Sequence, residues 1–203
     1  MLNCLAVYYH DNGTKAFEGK IVNDRRSGEW KAWDNEGAQL PSIKYTVEEE
    51  FYPNGQKKIS GVYKGEKKDG LWMEWWENGQ LKSEISYKNG KKDGTANGWF
   101  KDGRVHFSGF YKNGRKEGEY KEFYANRQQK SHEVYFNGKL NGNFNQWYEN
   151  GQLSISTRYS GGKKVGDYKS WYKNGQKKIV SSFKNGERTG QYISYYENGK
   201  KQL

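Results

Sequence analysis

The sequence predicts an all-β protein, an elongated array of antiparallel β-hairpins joined in an open, twisted sheet. Three observations lead to this fold class. The 203 residues include 26 Gly and only 2 Pro, so turns are frequent. Apolar surface comes mainly from 8 Trp, 17 Tyr and 9 Phe, which suit short strands. Glycines also recur every 24 residues. This pattern excludes helix bundles and α/β enzymes built on Leu- and Ala-rich helices.

Two ladders of glycine with the same 24-residue period identify an internal repeat. The first is broken only at Arg127 and contains Gly55, Gly79, Gly103, Gly151, Gly175 and Gly199. The second contains Gly70, Gly94, Gly118, Gly142, Gly166 and Gly190. Only 18 residues separate Gly37 from Gly55, so this unit is six residues short. We therefore expect a bend, a long shared strand or a break at residues 41 to 50.

Each repeat contains two turn signals. Pairs such as Asn78-Gly79 predict a two-residue type I′ hairpin turn. The second signal, which runs from Asn113 to Gly118 in one repeat, predicts a longer turn. Two turns leave strands of about six to eight residues. So small a unit cannot bury its own apolar face, and neighbours must stack into an elongated molecule.

The two-residue turn predicts which side chains share a face of the sheet. It places Trp76 opposite Leu81 and Trp72 opposite Ile85. Because successive residues alternate between faces, these four side chains and Tyr87 form an apolar face. The opposite face is then polar, with one aromatic residue in every repeat.

The aromatic row on the polar face is the candidate binding site. Its central members are Trp75, Trp99, Phe123, Trp147 and Trp171. The predicted register puts lysines across the hairpins from this row, at Lys82, Lys130 and Lys178. Cation–π contacts of about 0.5–1 kcal/mol would result at exposed sites. Two interpretations remain open: the row is a linear binding stripe, or the lysine stems only cover the rings.

The repeat resembles a known family. Trp147-Tyr148-Glu149-Asn150-Gly151-Gln152-Leu153, with the aromatic-Lys-Asn-Gly-Lys-Lys-x-Gly turn of other repeats, is similar to the bacterial variant of MORN repeats. Proteins built wholly from this variant are commonly grouped as YwqK-type antitoxins. The resemblance implies an elongated antiparallel β array without known chemistry. Two features depart from the pattern: the six-residue deletion after Tyr45, and Arg127 in place of the turn glycine.

No motif for catalysis, phosphate binding or zinc binding is present in the sequence. His106 and His132 belong to successive repeats, about 10 Å apart, which is too far for joint metal ligation. The single Cys4 excludes an intramolecular disulfide framework. We expect no enzyme activity, no cofactor and no metal.

The charge is unevenly distributed and predicts the kind of partner. Residues 1–50 carry 6 basic and 9 acidic side chains, whereas residues 51–203 carry a net charge of +14. We therefore divide the chain into acidic N-terminal repeats, 1–50, and one basic repeat domain, 51–203. The basic residues are 28 Lys and only 7 Arg, which disfavours sequence-specific nucleic-acid recognition. An acidic protein surface fits the charge. Alternatively, the lysines only keep the sheet from self-pairing.

These observations predict a non-enzymatic protein-binding repeat module, with the role of a toxin-neutralising antitoxin or immunity protein as the resemblance implies. The first alternative is a cell-envelope or surface scaffold that binds anionic lipid, glycan or a host protein. A second is non-specific binding of single-stranded nucleic acid. No stretch approaches the roughly 20 apolar residues of a membrane span. We expect a cytoplasmic protein, or a secreted or envelope-associated one if a signal peptide precedes residue 1.

Overall fold

The computed structural model describes residues 3–202 and confirms the all-β hairpin array. The chain divides into two compact units, Met1–Lys91 and Lys92–Leu203. In each unit, strands that are neighbours in sequence pair side by side and antiparallel. The division after residue 50, predicted from charge, stays a prediction. The strand β4 runs through that position.

From residue 3 onward, the described part of the first unit contains seven strands. They are β1 (Asn3–Tyr9), β2 (Lys15–Val22), β3 (Arg25–Trp33), β4 (Gln39–Phe51), β5 (Lys57–Lys64), β6 (Lys67–Trp75) and β7 (Leu81–Lys88). The second unit contains nine strands. They are β8 (Lys91–Trp99), β9 (Val105–Lys112), β10 (Arg115–Phe123), β11 (Gln129–Phe136), β12 (Lys139–Trp147), β13 (Leu153–Ser160), β14 (Lys163–Trp171), β15 (Lys177–Lys184) and β16 (Glu187–Ser194).

The turn types differ from the predicted ones. At Asn78-Gly79 the amide of Trp76 donates to the carbonyl of Gln80 at 2.8 Å, and the amide of Gly79 donates to Trp76 at 2.9 Å. Gly79 has φ +82°, whereas Asn78 lies outside the left-handed region. This is a three-residue loop with a glycine bulge, because a type I′ turn needs positive φ at both central residues. The prediction of a two-residue turn at this position was wrong.

The two-residue type I′ turn lies instead at the second signal. Asn113 and Gly114 both have positive φ, 50° and 81°. Arg115 already pairs with Lys112 as the first residue of β10. The second glycine ladder therefore marks bulges inside strands. Two residues of β10, Gly118 at φ +71° and its successor, have no partner on β9.

The register at the hairpins confirms one predicted pair and corrects another. Trp72 pairs with Ile85 as predicted, but Leu81 pairs with Trp75 and not with Trp76. The longer loop shifts the pairing at the end of the strand. Glu74 pairs with Ser83 and Trp75 pairs with Leu81, so Lys82 has no partner across the hairpin and forms a bulge. Leu81 consequently belongs to the face of Trp75 and not to the apolar face.

One face of each hairpin carries large rings that lie over small residues, and we call it the ring face. Trp72 is only 5% exposed and lies against the backbone of Gly61, where any Cβ would overlap the indole. Tyr120 covers Gly109 in the same way. At other repeats the aromatic residue pairs with a small hydroxyl residue, as Tyr168 does with Ser181. The core is therefore a single layer in which large and small side chains alternate.

Cations complete the ring face, whereas the sequence placed its lysines beside the aromatic row of the opposite face. The Lys116 ammonium lies 3.3 Å from the ring centroid of Tyr120 and 4.8 Å from that of Tyr135. Lys68 lies 4.0 Å from the centroid of Trp72, and Lys164 lies 4.7 Å from that of Tyr168. Burial raises the pKa of the Tyr120 hydroxyl above its ordinary value of 10.0. The lysine stems thus cover rings that water would otherwise reach.

The shortened repeat forms a long shared strand, one of the three predicted outcomes. Within β4, Tyr45 pairs with Gly28 on one side and Lys64 on the other, while Thr46 pairs with Tyr63. Consecutive residues of a strand point to opposite faces, so the rings of Tyr45 and Tyr63 lie on opposite faces of the sheet. Trp30 contacts Tyr45, with 6.1 Å between ring centroids, and Trp72 contacts Tyr63, with 4.9 Å. Each tryptophan lies on the same face as the tyrosine that it contacts. The ring face therefore changes sides at β4.

Candidate binding groove

The predicted aromatic row lies on the face opposite the ring face, which we call the row face. Each member pairs with the first residue of the next strand. The pairs in the second unit are Trp99 with Val105, Phe123 with Gln129, Trp147 with Leu153 and Trp171 with Lys177. In the first unit Trp75 pairs with Leu81. All five rings are half-buried.

The lysines predicted to accompany this row lie elsewhere. Lys82 is 5.1 Å from the ring centroid of Trp76, and its ammonium lies 3.3 Å from the Glu74 carboxylate. Both contacts belong to the ring face. The extra residue in each strand near the loop redirects the lysine away from the row.

The other two predicted lysines show the same contacts. Lys178 lies 5.3 Å from the centroid of Tyr172, and Lys130 pairs with Glu122 at 3.2 Å. Within each unit, the structure thus places the predicted rings on one face and their predicted lysines on the other. The two histidines also have other neighbours: His106 packs on Phe100 with 4.5 Å between ring centroids, on the ring face. Among residues 3–202, no three His, Cys, Asp or Glu side chains are grouped as metal ligands.

A groove of about 590 Å³ opens on the row face of the second unit. Its apolar walls are Trp99, Val105 and Phe123. The remaining lining residues are polar: Asn97, Gly103, Arg104, Ser108 and Arg127. Val105 is 44% exposed, so the apolar surface is open to solvent. The groove combines an apolar wall with two guanidinium groups.

Small side chains create the space for this groove. Asn97 pairs with Ser108 across β8 and β9 on the row face. The corresponding pair one repeat later is larger, Lys121 with His132. Two repeats later the small pair recurs as Asn145 with Ser156, so this groove differs from the other repeats mainly in its two guanidinium groups.

Asp102 already engages one of the two guanidinium groups. Arg104 Nε donates a hydrogen bond to Asp102 Oδ2 at 2.7 Å, and Arg104 Nη2 donates a second one to the same oxygen. The arginine holds the pKa of the Asp102 carboxyl at about 2, below its ordinary value of 3.8. Arg104 is thus neutralised locally by its neighbour.

This pair gives a direct prediction for acid titration. We expect the Asp102 carboxyl signal in an NMR titration to have its midpoint near pH 2. In Arg104→Gln the midpoint should rise toward 3.8, because the side-chain hydrogen bonds to the charged form are lost, while the backbone amide of residue 104 still donates to Asp102. Equal midpoints for Asp102 in both proteins would contradict the pairing.

Arg127 is the second guanidinium, and its position is unusual. It occupies the loop position that is glycine in the first ladder and has φ +74°. Its amide still donates to the carbonyl of Tyr124 at 3.0 Å, as the glycines do at this position. Across the described part of the chain its side chain has no hydrogen-bond or ion-pair partner. The break in the glycine ladder is visible in the sequence as a departure from the repeat, but the sequence alone does not mark it as a site.

The fold and groove define the class of the protein: an antiparallel β-hairpin repeat protein with an exposed aromatic face. The family model for the MORN repeat variant matches residues 45–64, 68–89, 164–185 and 188–203. The chain thus carries MORN repeats at these four places, which confirms the repeat type but not the antitoxin group. No curated protein matches the chain significantly.

One of the similar solved structures is titled "Crystal Structure of TcdB2-TccC3", with 11% sequence identity and a TM-score of 0.20. The match covers 95% of this chain and spans 13% of the length of that chain. A likeness at this TM-score carries no argument about fold or function. Within residues 3–202, no helix is long and apolar enough to cross a membrane.

Proposed function

We propose that the chain is a non-enzymatic binding module whose row face, in the second unit, takes up an acidic partner protein. The observation that carries this proposal is the row of half-buried rings at Trp99, Phe123, Trp147 and Trp171. Residues 92–203 hold 21 basic and 10 acidic side chains, and thus the whole of the chain's net charge of +11. Aromatic anchors dominate the energetics of protein interfaces, and a basic surface speeds encounter with an acidic partner. Repeats of this kind generally serve as protein- or membrane-binding modules.

The role of this module, in the proposal, is neutralisation of a toxin as an antitoxin or immunity protein. Lys178, which lies over Tyr172 on the ring face, contributes by long-range charge. Lys82 and Lys130 contribute little charge, because Glu74 and Glu122 neutralise them locally. The runner-up is a cell-envelope or surface scaffold that binds anionic lipid or glycan. The half-buried rings favour this alternative too, since sugar rings stack on such aromatic surfaces.

The test is affinity capture with the full chain, followed by reconstitution from purified components. We expect a stoichiometric complex with an acidic protein, and co-expression of the chain should relieve the toxicity of that protein. The proposal would be overturned if no captured protein forms a complex with the chain when both are purified and mixed. Binding to anionic vesicles or glycans alone would favour the scaffold alternative.

The aromatic row gives a second measurement on the same complex. We expect Trp99→Ser combined with Trp147→Ser to weaken the complex by about 2 kcal/mol or more. The ring face is untouched by these changes, so the protein should stay folded and lose only about 1–2 kcal/mol of stability for each half-buried ring. If stability falls and affinity changes only in proportion to unfolding, the row is packing and not a binding surface.

A further inference from the structure

We propose that the groove between Trp99 and Phe123 binds an acidic segment of the partner, in which an aromatic or branched aliphatic side chain stands next to an Asp or Glu carboxylate. This inference rests on the proposed function and names the chemistry of the partner at one place. It also identifies Arg127 as the residue that receives the carboxylate.

The apolar half of the ligand fits the walls of the groove. Trp99 and Phe123 belong to strands two apart in the sheet, about 9.6 Å between backbones. A ring or branched side chain inserted between them can contact both walls and Val105. The groove volume of about 590 Å³ exceeds the volume of any single side chain, so adjoining backbone also fits. The short floor residues, Asn97 and Ser108, offer amide and hydroxyl groups to that backbone.

The carboxylate half fits the free guanidinium. Asp102 neutralises Arg104, whereas Arg127 has no acidic or hydrogen-bonding partner for its side chain among residues 3–202. A guanidinium presents donors in a planar fork that matches a carboxylate with two parallel hydrogen bonds. The net charge of the second unit repels a basic ligand and attracts an acidic one.

The backbone of Arg127 supplies an independent observation. Its φ of +74° lies in the left-handed region, where an L-residue with a long side chain is strained and glycine is not. The six other turns of the first ladder carry glycine at this position. Strain of this kind persists at sites where the side chain has a role that the fold alone does not require. Here the side chain lines the groove, and among residues 3–202 it has no hydrogen bond or ion pair that would offset the strain.

The experiment uses the full chain and two blocked peptides. One peptide contains repeated Phe-Asp pairs, and the other has Asn in place of every Asp. Binding is followed by calorimetry and by the NMR signal of the Trp99 indole. The variants are Arg127→Gly, which removes the guanidinium and relieves the backbone, and Arg158→Gln, which removes one exposed charge from the same face outside the groove.

We expect the Phe-Asp peptide to shift the Trp99 signal and the Phe-Asn peptide to bind at least about tenfold more weakly. Arg127→Gly should lower affinity for the Phe-Asp peptide by about tenfold while it raises the melting temperature. Arg158→Gln should change affinity by about twofold or less. A structural role for Arg127 predicts neither the peptide selectivity nor the opposite changes in affinity and stability.

Three results would each overturn the inference: equal affinity for the two peptides, unchanged affinity in Arg127→Gly, or shifts confined to residues outside the groove. Binding to anionic vesicles with no response to the Phe-Asp peptide would also overturn it in favour of a lipid ligand. If the reconstituted partner complex forms and survives Arg127→Gly with full affinity, the groove inference fails and the proposed function stands. If no partner complex forms, the proposed function fails and the peptide titration still decides the chemistry of the groove.

Discussion

Replacing Trp72 with alanine is expected to lower the free energy of unfolding by about 3–5 kcal/mol, the range for large aromatic residues in cores. The indole is 5% exposed and donates from Nε1 to the carbonyl of Val62 at 3.1 Å. It also packs against Tyr63 at 4.9 Å and receives the Lys68 ammonium at 4.0 Å. Its loss uncovers the backbone of Gly61, which has no side chain to fill the space.

Chemical denaturation measures this loss, and Trp75→Ala is its matched control. Trp75 is three residues away on the same strand, but it is half-buried on the row face. We expect Trp75→Ala to cost about 1–2 kcal/mol, in line with its smaller buried area. Equal losses for the two variants would contradict the assignment of the core to the ring face.

The second large effect is expected at Gly109. A Cβ at this position would overlap the ring of Tyr120, which is 8% exposed. We expect Gly109→Val to lower the free energy of unfolding by about 2–3 kcal/mol through overpacking. Gly118, in contrast, has open space around its missing Cβ, so any cost of Gly118→Ala comes from its backbone angle alone.

A double-mutant cycle tests whether the cost at Gly109 comes from the Tyr120 ring. In a Tyr120→Ala background the valine has room, so Gly109→Val should cost little there or recover stability. The interaction free energy should reach about 1–3 kcal/mol in the compensating direction. Additive effects would mean that the ring and the glycine do not oppose each other directly.

The fold class was predictable because glycine and aromatic residues recur with one period. The same pattern did not reveal the turn types. Asn-Gly favours a type I′ turn in both signals, but the loop at Asn78-Gly79 takes one more residue, and local sequence does not distinguish the two lengths. That residue moved Leu81 to the row face.

The aromatic row of the candidate site was predictable from the alternation of side chains along a strand. Its predicted lysines were not, because a single unpaired residue near each loop redirects them. The groove itself depends on the small sizes of Asn97 and Ser108, which look unremarkable in the sequence. Only Arg127 left a visible signal, as the break in the glycine ladder.

The long strand β4 limits how many equivalent sites the first unit can offer. Only one strand, rather than two, lies between the loops at Gly37 and Gly55. The face that carries the large rings over small residues therefore changes to the other side of the sheet at this strand. A flat ligand that lies across the ring face of β5 to β7 cannot reach, on that same side, the face that carries Trp30 and Tyr45. A single ligand can therefore bind fewer equivalent sites in the first unit than the unit has repeats. The repeats before and after β4 present different surfaces on the same side of the sheet.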